Sequence, residues 1–313
     1  MKILDFNDKI NCFDFEFEQT NDIIHFEKEF LDKINKFNHL EEIKIPCELF
    51  SELETKKYYN FFNNKFKILK VFTDNEEALL NFSSSFKKLK YILKTNENLE
   101  KLKIKRDCEY PENNSNEKIS LKEMSNIKNL KLNGLYISCE MYNEISNKLR
   151  NLFINHTFMD YKDKLIQFSN LKTLYIENIF LSEVFNINNV DFSSLLNLEK
   201  LSIELMSYKD YFFLNKILLS SYNLIEFKLI NSIEGENDDD SDLFEDDIYN
   251  DEDNDEDEDD YEKYLKKNNK KLIDSISNLK NLQSLIILNY SDIYHISTFL
   301  KIFENYQFQQ LKN

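Results

Sequence analysis

Residues 171–176 read Leu171-Lys-Thr-Leu174-Tyr-Ile176, and residues 198–203 read Leu198-Glu-Lys-Leu201-Ser-Ile203. Each phrase has apolar residues at its first, fourth and sixth positions. The same phrase begins at nine places in the 313 residues, namely Leu40, Phe66, Leu99, Ile127, Leu149, Leu171, Leu198, Leu224 and Leu282. A truncated copy, Phe308 to Leu311, lies near the last residue. This recurrence indicates a repeat protein.

The spacing of the phrases identifies an insertion. Successive copies begin 26, 33, 28, 22, 22, 27, 26 and 58 residues apart. The longest interval contains residues 234–262, the acidic segment, in which 19 of 29 residues are Asp or Glu and none is Lys or Arg. Without it the interval is 29, like the others. We therefore predict a disordered insertion outside the repeating unit, because such dense like charges repel one another.

The acidic segment also accounts for the net charge of -17, since the rest of the chain has 38 acids and 40 bases. Three interpretations of it stay open. It could be a solvating insertion without a ligand, a binder of basic proteins such as histone tails, or a weak site for divalent cations. An EF-hand loop needs a glycine at its sixth position, and Gly235 is the only glycine nearby.

The phrase predicts a short strand followed by a helix. Its fourth and sixth residues share one face of a strand, and the residue between them faces the other way. Helical spacing of apolar residues follows in 138–149, 210–222 and 265–279. Neither element can bury its apolar face alone, so neighbouring repeats must stack with parallel strands.

This pattern resembles the leucine-rich repeat family over Phe37 to Asn313, through its L-x-x-L-x-L core. The mean period and helical linkers are similar to the ribonuclease-inhibitor-like class. The resemblance implies an α/β solenoid, a horseshoe with a parallel sheet on its concave face and helices outside. The Asn or Cys that the family has three residues after the core is missing from all nine copies. An ordinary α/β domain with L-x-L strands is the alternative.

Residues 1–36 are predicted to be an N-terminal capping unit, and 37–313 the repeat domain. Phe13 to Phe17 alternates like a strand, and Ile23 to Ile34 has helical spacing. The ends of a solenoid need atypical units that cover the exposed core. An F-box-like helical module is the alternative, but the segment is short and begins with a strand.

No catalytic pattern is present, so we expect a protein that is not an enzyme and has no cofactor or metal. Two glycines exclude a G-x-G-x-x-G loop. The four histidines and four cysteines lack the spacing of a zinc site or a disulfide framework. No apolar run is long enough to span a membrane, and no secretory signal is recognisable. We expect a cytoplasmic protein, with the nucleus as an alternative because of the basic run from Lys263 to Lys271.

The strand face away from the core is the predicted interaction surface. Five of the nine middle residues of the phrase are Lys, where composition alone predicts about two. With flanking positions, the candidate partner-binding residues are Lys44, Lys70, Lys101, Lys103, Lys105, Lys131, Phe153, Tyr175 and Lys228. Charged and aromatic residues on a rigid face are typical of interfaces. AT-rich codon usage is the alternative explanation of the lysines.

We expect a protein-interaction scaffold whose partner is another protein, with neither membrane nor nucleic acid. Two alternatives stay open. The acidic segment resembles those of the acidic leucine-rich nuclear proteins and of activators of the Ran GTPase, which implies a regulator or chaperone of basic proteins. Those families carry the acidic run at the C-terminal end, whereas here two copies of the phrase follow it, the full copy at Leu282 and the truncated copy at Phe308. A substrate-recognition subunit of a ubiquitin ligase is the other alternative.

The insertion hypothesis gives a first prediction. Replacing Glu234 to Glu262 with a short Gly/Ser linker should leave the helix content and melting temperature nearly unchanged, because the length of a loop changes its closure cost only slightly. Circular dichroism during heating measures both. Loss of cooperative unfolding would show that the acidic segment is part of the folded unit.

Overall fold

The structure is a computed structural model, and it describes residues 12–14, 40–46, 66–73, 96, 98–106, 126–138, 148–156, 158–160, 168–179, 181, 192–207, 209–233 and 270–289. The chain divides into two compact units. Unit 1 comprises Met1–Leu171 with Asn188–Asp191, and unit 2 comprises Lys172–Ile187 with Phe192–Asn313. The described strands of each unit lie in parallel sheets.

Unit 1 contains the first eight described strands. They are β1 (Cys12–Asp14), β2 (Glu42–Pro46), β3 (Ile68–Thr73), β4 (Lys101–Arg106), β5 (Asn129–Asn133), β6 (Tyr136–Ser138), β7 (Asn151–Asn155) and β8 (Phe158–Asp160). The first five strands and β7 form one parallel sheet in chain order. β6 and β8 form a separate parallel pair.

Unit 2 combines strands with helices. Its strands are β9 (Thr173–Glu177), β10 (Lys200–Leu205), β11 (Glu226–Asn231) and β12 (Ser284–Asn289), which are parallel and ordered as in the chain. A 3-10 helix (Phe192–Asn197) and helix α1 (Asp210–Ser220) lie between strands, and helix α2 covers residues 270–277. Parallel neighbours joined through helices are the arrangement that the phrase predicted.

The register of the sheets confirms which residues form the core. The fourth residues of successive phrases pair directly, as Ile43, Leu69, Leu102, Leu130 and Leu152 do in unit 1. In unit 2, Leu174, Leu201, Phe227 and Leu285 pair in the same way. These side chains are at most 2 % exposed, apart from the half-buried Leu285 of β12. The leucine-rich phrase therefore supplies one continuous apolar face in each sheet.

Helix α1 packs beside β10 in unit 2. It contacts the 3-10 helix and β10, and it buries Tyr211, Leu214, Ile217 and Leu218. The helix predicted over 210–222 is thus confirmed, and α2 lies within the one predicted over 265–279. Most of the helix predicted over 138–149 falls outside the described residues.

Successive strands are joined at their beginnings by a backbone bracket. The carbonyl oxygen of the second phrase residue accepts hydrogen bonds from the second and third residues of the next phrase. Glu41 accepts in this way from Lys67 and Ile68, at 2.9 and 3.0 Å. The acceptors of the seven brackets are Glu41, Lys67, Glu100, Lys128, Lys172, Glu199 and Ile225. All fourteen N–O distances lie between 2.7 and 3.1 Å, so the same joint recurs in both units.

The buried carboxylate of Asp210 organises the loop before α1. Its Oδ1 accepts the backbone N–H of Leu181 at 2.7 Å, and its Oδ2 accepts those of Met206 and Ser207 at 2.9 and 2.8 Å. Burial raises the pKa of Asp210, although the backbone donors favour its ionised form. This single side chain joins two segments that are 29 residues apart in sequence.

The fold class expected from the sequence, an α/β solenoid with parallel strands, is confirmed, because all nine copies of the phrase form strands that are parallel to their neighbours in each unit. β1 coincides with the beginning of the strand predicted from Phe13 to Phe17. The acidic segment, the helix predicted from Ile23 to Ile34 and the truncated copy from Phe308 to Leu311 lie outside the described residues. The division into a cap and a repeat domain stays a prediction.

Candidate interaction surface

The strand alternation directs the predicted lysines away from the core. In β5, Leu130 and Leu132 are buried, and Lys131 between them is exposed. Lys44, Lys70 and Lys103 occupy the equivalent place in their strands and are half-buried. The face opposite the leucines in unit 1 is therefore lined with ammonium groups.

The register aligns these lysines in one row. Lys44 pairs with Lys70, Lys70 with Lys103, and Lys103 with Lys131. Phe153 of β7 pairs with Lys131 and ends the row. Because adjacent strands lie about 4.8 Å apart, the four lysines extend over roughly 14 Å.

A second line of lysines crosses the row along β4. Lys101, Lys103 and Lys105 alternate with Leu102 and Ile104, so all three lie on the same face. Residues two apart in a strand are about 6.7 Å apart. The six residues Lys44, Lys70, Lys101, Lys103, Lys105 and Lys131 form a cross centred on Lys103, and we call them the lysine cluster.

Neighbouring side chains hold several of these ammonium groups in place. Lys70 forms an ion pair with Glu42. The Nζ of Lys44 lies 4.9 Å from the centre of the Phe72 ring, and that of Lys131 lies 5.6 Å from the centre of the Phe153 ring. Cation–π contacts at these distances are favourable and orient the ammonium groups.

The electrostatic environment of Lys103 is cationic. Burial lowers its pKa, and the charges of Lys131, Lys70, Lys105 and Lys44 lower it further, in that order. The protonated amine thus has unfavourable interactions with four other lysines. An anion placed over the centre of the cluster would relieve them.

The corresponding described face of unit 2 has no excess of positive charge. The Nζ of Lys228 lies 3.7 Å from a carboxylate oxygen of Glu177, and Lys200 pairs with Glu226 at 2.7 Å. Tyr175, the other predicted residue of this unit, is half-buried in β9. Lys228 therefore lies among carboxylates, and the excess of positive charge is a property of unit 1.

Ser202 occupies the middle position of β10 but is only 1 % exposed. It is a small residue whose partners in the register are the larger Tyr175 and Lys228. Among the described residues its hydroxyl has no hydrogen-bond partner. The middle position of the phrase is consequently not a reliable indicator of an accessible side chain.

Sequence reasoning missed a ladder of ion pairs at the strand beginnings. Glu41 pairs with Lys67 at 2.5 Å, Glu100 with Lys128 at 2.7 Å, and Glu199 with Lys172 at 2.5 Å. All six residues stand at the second position of the phrase, where Glu and Lys alternate through Glu41, Lys67, Glu100 and Lys128. That alternation was the available signal. Exposed pairs of this kind contribute about 0–1 kcal/mol each to stability, so they orient the side chains more than they stabilise the fold.

The described residues contain no group of three or more His, Cys, Asp or Glu that could hold a metal ion. Among the same residues, no helix is long and apolar enough to cross a membrane.

No protein-family model matches the chain, and neither does any curated protein. The solved structures that it resembles include the crystal structure of an internalin from Listeria monocytogenes. The two are 15 % identical, the match covers 86 % of this chain and 80 % of the internalin chain, and the TM-score is 0.32.

Proposed function

We propose that the protein is a non-enzymatic interaction scaffold, and that unit 1 binds an acidic segment of a protein partner on the lysine cluster. Stacked leucine-rich repeats are typical of proteins that bind other proteins through an extended strand face. The fold supports that general role. The finer proposal, the acidic partner and the face it contacts, rests on the charges of the strand face.

The observation that carries the proposal is the environment of Lys103. Four lysines destabilise its protonated form. Carboxylates brought by a partner would remove this repulsion and form charge-assisted hydrogen bonds with the ammonium groups. Complementary charge of this kind accelerates encounter and selects partners, even where it contributes little net affinity.

Phe153 adds an apolar component to the proposed contact. It is half-buried at the end of the lysine row, beneath the ammonium group of Lys131. An aromatic ring next to a charged row suits a partner with an apolar side chain beside its acids, because aromatic residues dominate the energetics of many interfaces. We therefore expect the partner to present acidic residues followed by an apolar anchor.

The test compares two triple variants with the same change in net charge. The first variant combines Lys70→Gln, Lys103→Gln and Lys131→Gln. It should bind labelled poly-L-glutamate about tenfold or more weakly at low salt, because exposed charge contacts contribute up to roughly 1 kcal/mol each. The second variant combines Lys67→Gln, Lys128→Gln and Lys148→Gln, which are lysines of the same unit outside the cluster. It should reduce the affinity for poly-L-glutamate much less. Fluorescence anisotropy measures the dissociation constants.

Two conditions sharpen this comparison. The difference between the triple variants should shrink at about 0.5 M salt, where the screening length is roughly 4 Å. The measurement is made in the full chain and again with a Gly/Ser linker in place of 234–262, whose 19 acids would compete with the probe. Equal losses in the two triple variants would mean that only net charge matters and that the cluster has no binding role.

A further inference from the structure

Lys103 is surrounded by lysines in both directions of the sheet. Across the strands, Lys70 and Lys131 are its partners in the register. Along β4, Lys101 and Lys105 flank it on the same face. In the described part of unit 1, this is the only lysine with a lysine at each of these four neighbouring positions.

This placement affects the amine itself. A lysine is nucleophilic only when it is neutral, and partial burial beside other cations favours the neutral form. Both conditions hold for Lys103, since burial and the neighbouring lysines lower its pKa. A larger share of this amine than of an ordinary exposed lysine is therefore ready to react near neutral pH.

The same lysines also act on any anionic reagent that approaches Lys103. The backbones of the four neighbouring lysines lie about 5–7 Å from that of Lys103, and their ammonium groups together attract small anions and raise their local concentration. An acyl donor with an anionic leaving group would be held by the flanking lysines, with its carbonyl carbon beside the central amine. Proximity of this kind accelerates a bimolecular reaction.

We propose that Lys103 is an acylation site for anionic acyl donors, with acyl phosphates as the chemical class. The neutral amine attacks the carbonyl carbon of the acyl phosphate. A C–N bond forms, the C–O bond to the phosphate breaks, and the proton lost by the nitrogen leaves with the phosphate as hydrogen phosphate. The product is an amide without charge, so the reaction removes the central charge of the lysine cluster.

Acetyl phosphate is the probe, and the full-length chain is incubated with it at pH 8. Peptide mass spectrometry follows the acetylation rate of each lysine. Lys103 should react at least about threefold faster than the exposed Lys148 and Lys271, because the neutral share of a lysine amine rises as its pKa falls. A rate for Lys103 equal to that of the two exposed lysines would overturn the proposal. The measurement needs no partner, so its result is independent of the proposed binding function.

Variants of the surrounding lysines test whether these lysines cause the reactivity of Lys103. Lys70→Gln with Lys131→Gln removes the neighbours across the strands, and Lys101→Gln with Lys105→Gln removes those along β4. In both double variants the rate at Lys103 should approach that of Lys148, while circular dichroism shows an unchanged fold. An undiminished rate in both would mean that the surrounding lysines do not activate Lys103.

An uncharged acyl donor distinguishes the recruitment of anions by the lysine cluster from the nucleophilicity of the Lys103 amine. With an N-hydroxysuccinimide ester of acetic acid, the preference for Lys103 over Lys148 should persist but be smaller than with acetyl phosphate. The same preference with both reagents would refute the recruitment of anions by the cluster. A preference with neither would refute the activated amine.

Discussion

Replacing Leu174 or Leu201 with alanine should lower the free energy of unfolding by about 2–5 kcal/mol, because each change leaves a cavity in a closely packed core. The two side chains are 1 % and 2 % exposed and are direct partners in the register of β9 and β10. Urea denaturation followed by circular dichroism measures the change.

Leu219 provides the matched control, since it is a leucine of the same unit with 61 % exposure on α1. Leu219→Ala should change the stability by no more than about 0.5 kcal/mol, the usual range for surface positions. If Leu174→Ala and Leu201→Ala were as mild as this control, the strand register and the surface built on it would be wrong.

The second large effect is expected at Asp210. Alanine at this position leaves the backbone N–H groups of Leu181, Met206 and Ser207 without their acceptor. The Leu181 donor is buried and the other two are half-buried, and an unsatisfied buried donor costs about 1–3 kcal/mol, so Asp210→Ala should destabilise the protein by about 3 kcal/mol. Asp210→Asn keeps one acceptor oxygen and should have an intermediate effect, whereas the exposed Asp274→Asn should have little.

The pH dependence gives an independent check on Asp210. Because burial raises the pKa of its carboxyl, the folded chain holds this proton more tightly than the unfolded chain does. Stability from this group should therefore fall as the pH rises above about 3.8, its ordinary value, towards the folded-state pKa. The Asp210→Asn variant should lack this fall of stability with rising pH. Identical pH profiles for the two proteins would mean that the pKa of this carboxyl is not raised in the folded chain.

The core could be predicted from the sequence because a period of two in a strand fixes which side chains share a face. That is why the burial of Leu174 and Leu201 and the outward direction of the lysine row were predicted correctly, whereas partner binding by these lysines stays a prediction. The role of Asp210 could not be predicted, because its partner Leu181 is brought to it only by tertiary packing. The balance of charge around Lys228 depends on Glu177, which lies two strands away and so becomes a neighbour only in the folded sheet.

A recurring Asn lies on the opposite side of the phrase from the one that the family pattern gives. The family has Asn or Cys after the core, whereas here Asn precedes the first apolar residue in six copies, at 98, 126, 170, 197, 223 and 281. Two of these amides donate to a backbone carbonyl of the preceding repeat, Asn223 to Leu196 at 2.7 Å and Asn281 to Tyr222 at 3.1 Å. Their position, recurring at the period of the phrase, was readable from the sequence.

The backbone bracket makes the fold independent of the length of chain between repeats. It has the same form where the phrases are 22 residues apart and where they are 58 apart, since the Ile225 carbonyl accepts from Gln283 and Ser284 at 2.8 and 3.1 Å. Each strand is aligned by its neighbour, so an excursion of the chain between two repeats need not disturb either of them. Segments of different length and charge can thus be gained or exchanged there during evolution, and an engineered domain could be inserted between residues 233 and 270.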